Sequence, residues 1–273
     1  MVQMDTNTRA MSPNALALAI DDDLRLGRVP TAVVASCGST GVTAFDPIAD
    51  IVNIAASHSL WVHVDAAMAG TAMMLPEYRH LWDGVEGADS ISWNPHKWMG
   101  TILDTSLFFV RDPQHLIRVM STNPSYLQSN VDGEATQYRD WGIPLGRRFR
   151  SLKLWFHLHL DGAEAIRDRL RRDLENANWL AEQVKANPDW ELVSPLTLQT
   201  ICVRHNPGNL DSAALDQHTL KWVRQINDSG TAFMSPSQHN GEWIVRVSIG
   251  VESTQRKHVE TLWQLMQDTA SGH

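Results

Sequence analysis

Four short runs of apolar and β-branched residues recur through the first 110 positions: TAVVAS at 31–36, LWVHVD at 60–65, ISW at 91–93 and SLFFV at 106–110. Runs of this length and character suit a sheet covered on both faces, so they read as core strands. Between the first two, Asp46-Pro47 opens an apolar-periodic stretch reaching His58, with the acid placed to cap a helix and proline at its first position. Strand, helix, strand in that order predicts a parallel pair, and hence an α/β fold with a mostly parallel sheet. In open sheets of this class ligands collect beyond the carboxyl ends of the strands. Gly38-Ser39-Thr40, Asp65 and the segment from Asn94 to Lys97 fall there, so three loops are expected to converge on one crevice.

Residues 121–140 carry Asn-Pro, Ser-Asn and Asp-Gly pairs and no helical or strand period, which predicts a long mobile loop beside the site, a candidate lid. Helical periodicity then runs over 151–187, with a break at Gly162 and a stop at Asn187-Pro188. From Trp190 the pattern reads strand to about Arg204, helix over 212–228, strands near 231–235 and 243–249, and helix to the end. That order fits a small α+β domain. The expected division is a large domain over 1–150, connecting helices over 151–188 and the small C-terminal domain over 189–273, within reach of a chain of 273 residues.

Several function classes are disfavoured. No apolar stretch is long enough to span a bilayer and no leader pattern opens the chain, so a cytoplasmic protein without membrane contact is expected. A net charge of −8 argues against a general nucleic-acid surface. Cys37 and Cys202 are far apart and form no CxxC, which predicts reduced, structural thiols. His58, His63, His80 and His96 show no HExxH or comparable ligand spacing, so no metal is expected.

The chemistry concentrates in a pair. Lys97 stands in Asn94-Pro95-His96-Lys97-Trp98, just past the third strand, and Asp65 closes the second strand ahead of Ala66-Ala67. An amine and a carboxylate at neighbouring strand ends point to pyridoxal phosphate, which needs a lysine to hold its aldehyde covalently and a carboxylate against its pyridine nitrogen. Alone, Lys97 would read as a solvated surface charge and Asp65 as a cap or turn acid. Together with WGIPLGRRFRSLKLWF at 141–156, these segments resemble the group II pyridoxal-phosphate decarboxylases, and among them the aromatic-L-amino-acid decarboxylases, over almost the whole chain.

The resemblance implies a fold-type I large domain with a small C-terminal domain, and it implies roles. Lys97 would hold the cofactor and exchange it for the amino group of an aromatic L-amino acid. Asp65 would keep the ring nitrogen protonated; a charge pair near ~4 Å at an effective dielectric of ~20 is worth about 4 kcal/mol before desolvation. Ala67 would pack on one ring face, and Asn94 would lie near the phosphate. Thr40 would reach cofactor and substrate, although by itself it also reads as a turn hydroxyl bonding its own backbone. His96 either shields the covalent bond or packs.

Tyr126, in NPSYL, would protonate Cα after carbon dioxide leaves. Relatives that make aldehydes by oxidative deamination carry phenylalanine there, so tyrosine favours simple decarboxylation to the amine. Arg139, Arg147, Arg148 and Arg150 form the densest basic cluster, suited to an anionic ligand or to structural ion pairs. Gly146 lies where the family tunes pocket size, and its missing side chain leaves room for a bulky aromatic substrate. His63, alternating with Asp65, would hydrogen-bond near the site or pack. Dimerisation is expected, because the family's site lies at a dimer interface.

The chain departs from the family at its start: the family's helical dimerisation segment and the first part of its cofactor domain have no counterpart here. The small-residue phosphate loop and the histidine that stacks on the ring's other face are therefore expected to be missing, leaving a sheet edge and apolar surface uncovered. Two expectations follow: a decarboxylase half, either complemented by a separate N-terminal chain or retaining cofactor binding through Lys97 and Asp65 alone, or a truncated, noncatalytic fragment that associates with a full-length relative or does nothing.

Overall fold

The computed structural model describes residues 2–122 and 135–272. Strands β1 (Ala32–Ser36), β2 (Trp61–Asp65), β3 (Ser90–Trp93) and β4 (Leu107–Val110) form one sheet in that order, the first three parallel and β4 antiparallel to β3. Side chains alternate across the strands. One face, with Val33, Ala35, Val62 and Val64, is buried under α1 (Pro13–Arg25) and α2 (Ile48–Ser57), whose Leu16, Ile20, Ile48, Ile51 and Ala55 recur at helical spacing. The other face was expected to be covered too. Among the described residues it is open: Val34 is 54% exposed and Phe108 49%.

Asp46 also differs from expectation. The helix begins at Ile48 with Pro47 in the cap position and no side-chain cap. The two Asp46 oxygens accept instead from the Met11 and Ser36 backbone N–H groups at 2.6 and 2.7 Å, which leaves neither for the helix end. This acid therefore ties the N-terminal segment to the end of β1. Helix α1, which the sequence reading did not include, starts on Ser12, whose hydroxyl accepts from the Ala15 N–H at 3.3 Å, with Pro13 following.

After α3 (Pro113–Met120), α4 (Ser151–Leu160) and α5 (Ala163–Ala186) are separated at Gly162, whose φ of +80° ends the first helix. A second, antiparallel sheet has the order β5-β6-β8-β7, built from β5 (Trp190–Leu192), β6 (Thr200–His205), β7 (Ser235–His239) and β8 (Glu242–Ser248), with α6 (Ser212–Asp228) and α7 (Arg256–Ser271) packed on it. The single strand expected from Trp190 to about Arg204 is thus two strands. The next strand starts at Ser235 rather than near 231, because Asn240 and Gly241, at φ +51° and +84°, make the two-residue turn that sets the β7–β8 register.

Helix α5 joins the two cores. Ile166, Leu170 and Leu174 pack with the first sheet, while Ala177, Leu180 and Val184 pack with Trp190, Trp222 and Trp263 in the second. The three indoles meet edge to face, Trp190 lying 5.4 Å from Trp222 and 5.3 Å from Trp263 between ring centroids.

Beside them His205 Nδ1 and His218 Nε2 approach to 2.7 Å. Burial pushes both pKa values down, with further lowering from His218 on His205 and from Lys221 on His218. As pH falls the unfolded chain takes up these protons first, so their stabilisation is present above the ordinary histidine range and lost below it. We expect the unfolding free energy, and with it the melting temperature, to fall between about pH 7.5 and 5.5, the free energy by up to about 1.4 kcal/mol per pH unit for each proton. His218→Asn should flatten that slope in thermal melts; an unchanged slope would place its origin elsewhere.

Candidate active site

The site is built at the carboxyl ends of β1 and β2. After β1 the chain closes a tight loop, the Gly38 and Ser39 N–H groups donating to the Ala44 carbonyl at 3.0 and 2.9 Å. Gly38 has φ +76°, and a Cβ there would lie 2.5 Å from the Ala69 Cβ, so only glycine lets this loop lie against the segment after β2. Ser39 and Thr40 are presented at its tip. Asp65 ends β2, exposed, with one carboxylate oxygen accepting from the Ala67 N–H at 3.0 Å. The Asn94 N–H donates to the Ala67 carbonyl at 3.0 Å and the Lys97 N–H to the Asn94 carbonyl at 2.9 Å, which links the Asp65 and Lys97 segments through backbone.

Lys97, Asp65, Thr40 and Ala67 line one cleft of about 300 Å³. Asn94 and His96 share the Lys97 loop but are not among the lining residues; His96 Nδ1 lies 2.7 Å from the Thr105 carbonyl. Tyr126, and with it most of the expected lid, falls outside the described residues. Arg139, Arg147, Arg148 and Arg150 are not among the residues lining the cleft: Arg150 pairs with Asp104 at 2.9 Å, Arg147 donates to the Tyr138 carbonyl at 2.9 Å, and Arg139 lies 3.9 Å from Asp140. Gly146 faces open space rather than the cleft.

The second sheet adds residues that the sequence reading missed. Thr200, Arg246 and Ser248, at neighbouring ends of β6 and β8, complete the cleft wall and bring a guanidinium to it. A signal existed, since Arg246 is the single charge inside the apolar run WIVRVSI.

His63 does what both of its readings anticipated. Its ring nitrogens lie 2.8 Å from the Ser90 hydroxyl and 3.3 Å from that of Ser92, and its ring stacks on Phe108. Burial lowers its pKa, partly offset by Asp65, so it supports the strand end as a neutral imidazole. The Cys37 thiol, raised to about 12 chiefly by burial and then by Asp46 and Asp65, offers no nucleophile. Among the described residues no group of three metal-ligating side chains occurs, and no helix is long and apolar enough to cross a membrane.

Residues 1–206 match the family model for the pyridoxal-dependent decarboxylase conserved domain. The chain is 39% identical to a phenylacetaldehyde synthase of Arabidopsis thaliana over 98% of its own length and 55% of that protein's. It is 36% identical to tryptophan decarboxylase 2 of Oryza sativa subsp. japonica over 96% and 53%. In three dimensions it resembles the crystal structure of Oryza sativa TDC with PLP and tryptamine, with a TM-score of 0.93 and 34% identity, covering 97% of this chain and 56% of that one. The chain thus spans about half the length of the curated relatives it matches. Its architecture is the fold-type I arrangement of these neighbours, and the chain belongs to the pyridoxal-dependent decarboxylase family.

Proposed function

We propose that this chain carries the lysine-bearing half of a pyridoxal-phosphate-dependent decarboxylase that converts an aromatic L-amino acid to its amine and carbon dioxide. One observation carries the reading: of the five lysines in the sequence, Lys97 alone lines the cleft that Asp65 also lines. The donor set fits the cofactor, joining an amine and a carboxylate to the Ser39 and Thr40 hydroxyls, the Arg246 guanidinium and the small Ala67. When bound, pyridoxal phosphate supplies an electron sink for the pair released at Cα.

The protein's own groups do the rest. The Lys97 amine would hold the aldehyde and, when free, could carry a proton. Asp65 would hold a proton on the ring nitrogen, and Ala67 leaves space for a flat ring. Thr40 offers its hydroxyl to cofactor and substrate, and Arg246 offers positive charge to an anionic group. We keep Asn94 as a donor to the phosphate, with His96 bracing the same loop through Thr105. Tyr126 donates the proton to Cα.

Two of the relatives are named for different outcomes, an aldehyde synthase and a decarboxylase, and Tyr126 is the residue on which we base the choice. The test is product analysis with tryptophan, 5-hydroxytryptophan, tyrosine, dopa and phenylalanine, with and without an N-terminal decarboxylase half. The amine is expected from the unaltered chain, and Tyr126→Phe should raise the aldehyde fraction by about tenfold or more, with dioxygen consumed. Amine as the sole product at an unchanged rate from the variant would remove Tyr126 from the mechanism.

The partner we expect is a second copy of the chain or a complementing N-terminal decarboxylase chain. The support is apolar exposure: Phe108 and Phe109 on β4 are 49% and 51% exposed, and Trp155 and Phe156 on α4 are 50% and 48%. Buried, unpaired Cys37 and Cys202 support a cytoplasmic setting. We assign the large domain to 1–150, connecting helices to 151–188 and the small domain to 189–273. The match to only half of each relative favours a second reading, a noncatalytic fragment, which would capture no cofactor with or without the N-terminal half.

A further inference from the structure

Lys97 is exposed, yet the two residues that follow it are among the most buried in the molecule, Trp98 at 3% and Met99 at 1% exposure. Their partners come from α5. Trp98 Nε1 donates to Asp173 Oδ2 at 3.0 Å, and Arg169 Nη2 donates to the carbonyls of Trp98 and Met99 at 3.1 and 2.5 Å. Arg169 Nη1 lies 3.5 Å from Asp173 Oδ2, and the two residues are 8% and 0% exposed. A Cβ at Gly250 would lie 3.0 Å from Trp98 Cδ1, so the pyrrole edge of the indole also sits close against the segment that follows β8. One helical turn of α5 thus grips the side chain of residue 98 and the backbone of residues 98 and 99.

A buried ion pair is weak evidence of a stabilising device, because desolvation of two charges offsets most of their attraction. What stands out is where this pair spends its hydrogen bonds. It spends them on the peptide immediately beyond Lys97, whose own backbone is otherwise held by the short turn from Asn94 to Gly100. We infer that Arg169 and Asp173 are positioning residues for Lys97: through Trp98 they fix where its amine emerges into the cleft relative to Asp65. The inference rests on the reading of Lys97 given above for its purpose, and on the geometry of the loop alone for its substance. A displacement of about 1 Å at a reacting group can cost about a hundredfold in rate, which is the reason to anchor a lysine this way.

Having only five lysines makes a cofactor-free test practical. Reductive methylation of the full chain with carbon-13 formaldehyde labels each lysine, and Lys97→Arg identifies the Lys97 signal in NMR spectra. The relaxation rate of its methyl signal is then compared in the unaltered chain, Asp173→Asn and Trp98→Phe, each under conditions where circular dichroism shows it folded. Both variants are expected to change the Lys97 rate by about twofold or more as the anchored loop loosens, leaving the Lys185 and Lys257 rates unchanged.

Trp98→Phe is charge-neutral and keeps the ring's apolar bulk, so a changed rate cannot come from a lost charge, and it decides the matter alone if Asp173→Asn does not fold. A Lys97 relaxation rate unchanged in Trp98→Phe, whatever its melting temperature, would overturn the inference. With pyridoxal phosphate added, the same variants should slow covalent capture about tenfold. An unaltered chain that captures none would count against the proposed function and leave the NMR comparison to judge the positioning.

Discussion

Replacing Lys97 by alanine is expected to abolish covalent capture of pyridoxal phosphate and to weaken its binding by about a hundredfold or more, since the bond from amine to aldehyde is the strongest single link the cleft can offer. None of the other four lysines is placed to substitute. Lys153 Nζ donates to the Leu103 carbonyl at 3.0 Å, Lys185 pairs with Glu182 at 2.9 Å, Lys221 lines a separate cavity beside His218, and Lys257 is exposed on α7. The loss should be read as disappearance of the visible absorbance that the bound cofactor gives, with equilibrium dialysis measuring what binding remains. Because the Lys97 side chain is exposed and its backbone turn does not involve the amine, the melting temperature should stay within a few degrees of the unaltered chain. Retained absorbance in the variant would mean that another amine carries the cofactor.

Asp65→Asn should act differently, sparing capture and removing turnover. The amide oxygen can still accept from the Ala67 N–H, now at 3.0 Å from the carboxylate, so the strand end and the cleft should keep their shape. What disappears is the negative charge that would hold a proton on the ring nitrogen. A pair of charges at ~4 Å and an effective dielectric of ~20 is worth about 4 kcal/mol before desolvation. At 1.36 kcal/mol per decade, that corresponds to a fall in kcat of roughly a hundredfold to a thousandfold. KM should change far less, because the substrate's own contacts are untouched. The measurement is steady-state carbon dioxide release, with the N-terminal half supplied where activity requires it. A kcat within threefold of the unaltered chain, on the order of 1 kcal/mol or less, would take Asp65 out of the mechanism.

The first three strands and the Lys97–Asp65 pair were legible because each announces itself locally: a run of apolar, β-branched residues, then a polar group where the run stops. The limits of locality show at Asp46. Its position before Pro47 reads as a helix cap, but Ser36 and Met11, ten and 35 residues away, take both oxygens. The open face of the first sheet agrees with the apolar surface that the family resemblance left uncovered but not with the strand pattern, since short apolar strands look alike whether one or both faces are covered within the chain.

Arg246 and Thr200 escaped because their place in the cleft depends on how the second sheet docks. That docking rests on scattered contacts such as Ser194 to the Val42 carbonyl at 3.5 Å and Cys202 to the Gly41 carbonyl at 3.4 Å, which leave no periodic trace. Two misses were avoidable: Ser12-Pro13 is a helix start and Asn240-Gly241 a hairpin turn, both readable from the residues alone. The Arg169–Asp173 pair is legible as an i, i+4 ion pair on a helix, but nothing in its spacing says that it faces the Trp98 segment.

The most direct test of the account is to incubate the unaltered chain with pyridoxal phosphate, reduce with borohydride, digest, and locate the label by mass spectrometry. The account predicts a single dominant labelled peptide carrying Lys97, approaching one label per chain, with Lys153, Lys185, Lys221 and Lys257 at background. Label spread evenly over all five lysines, with no preference for Lys97, would contradict it.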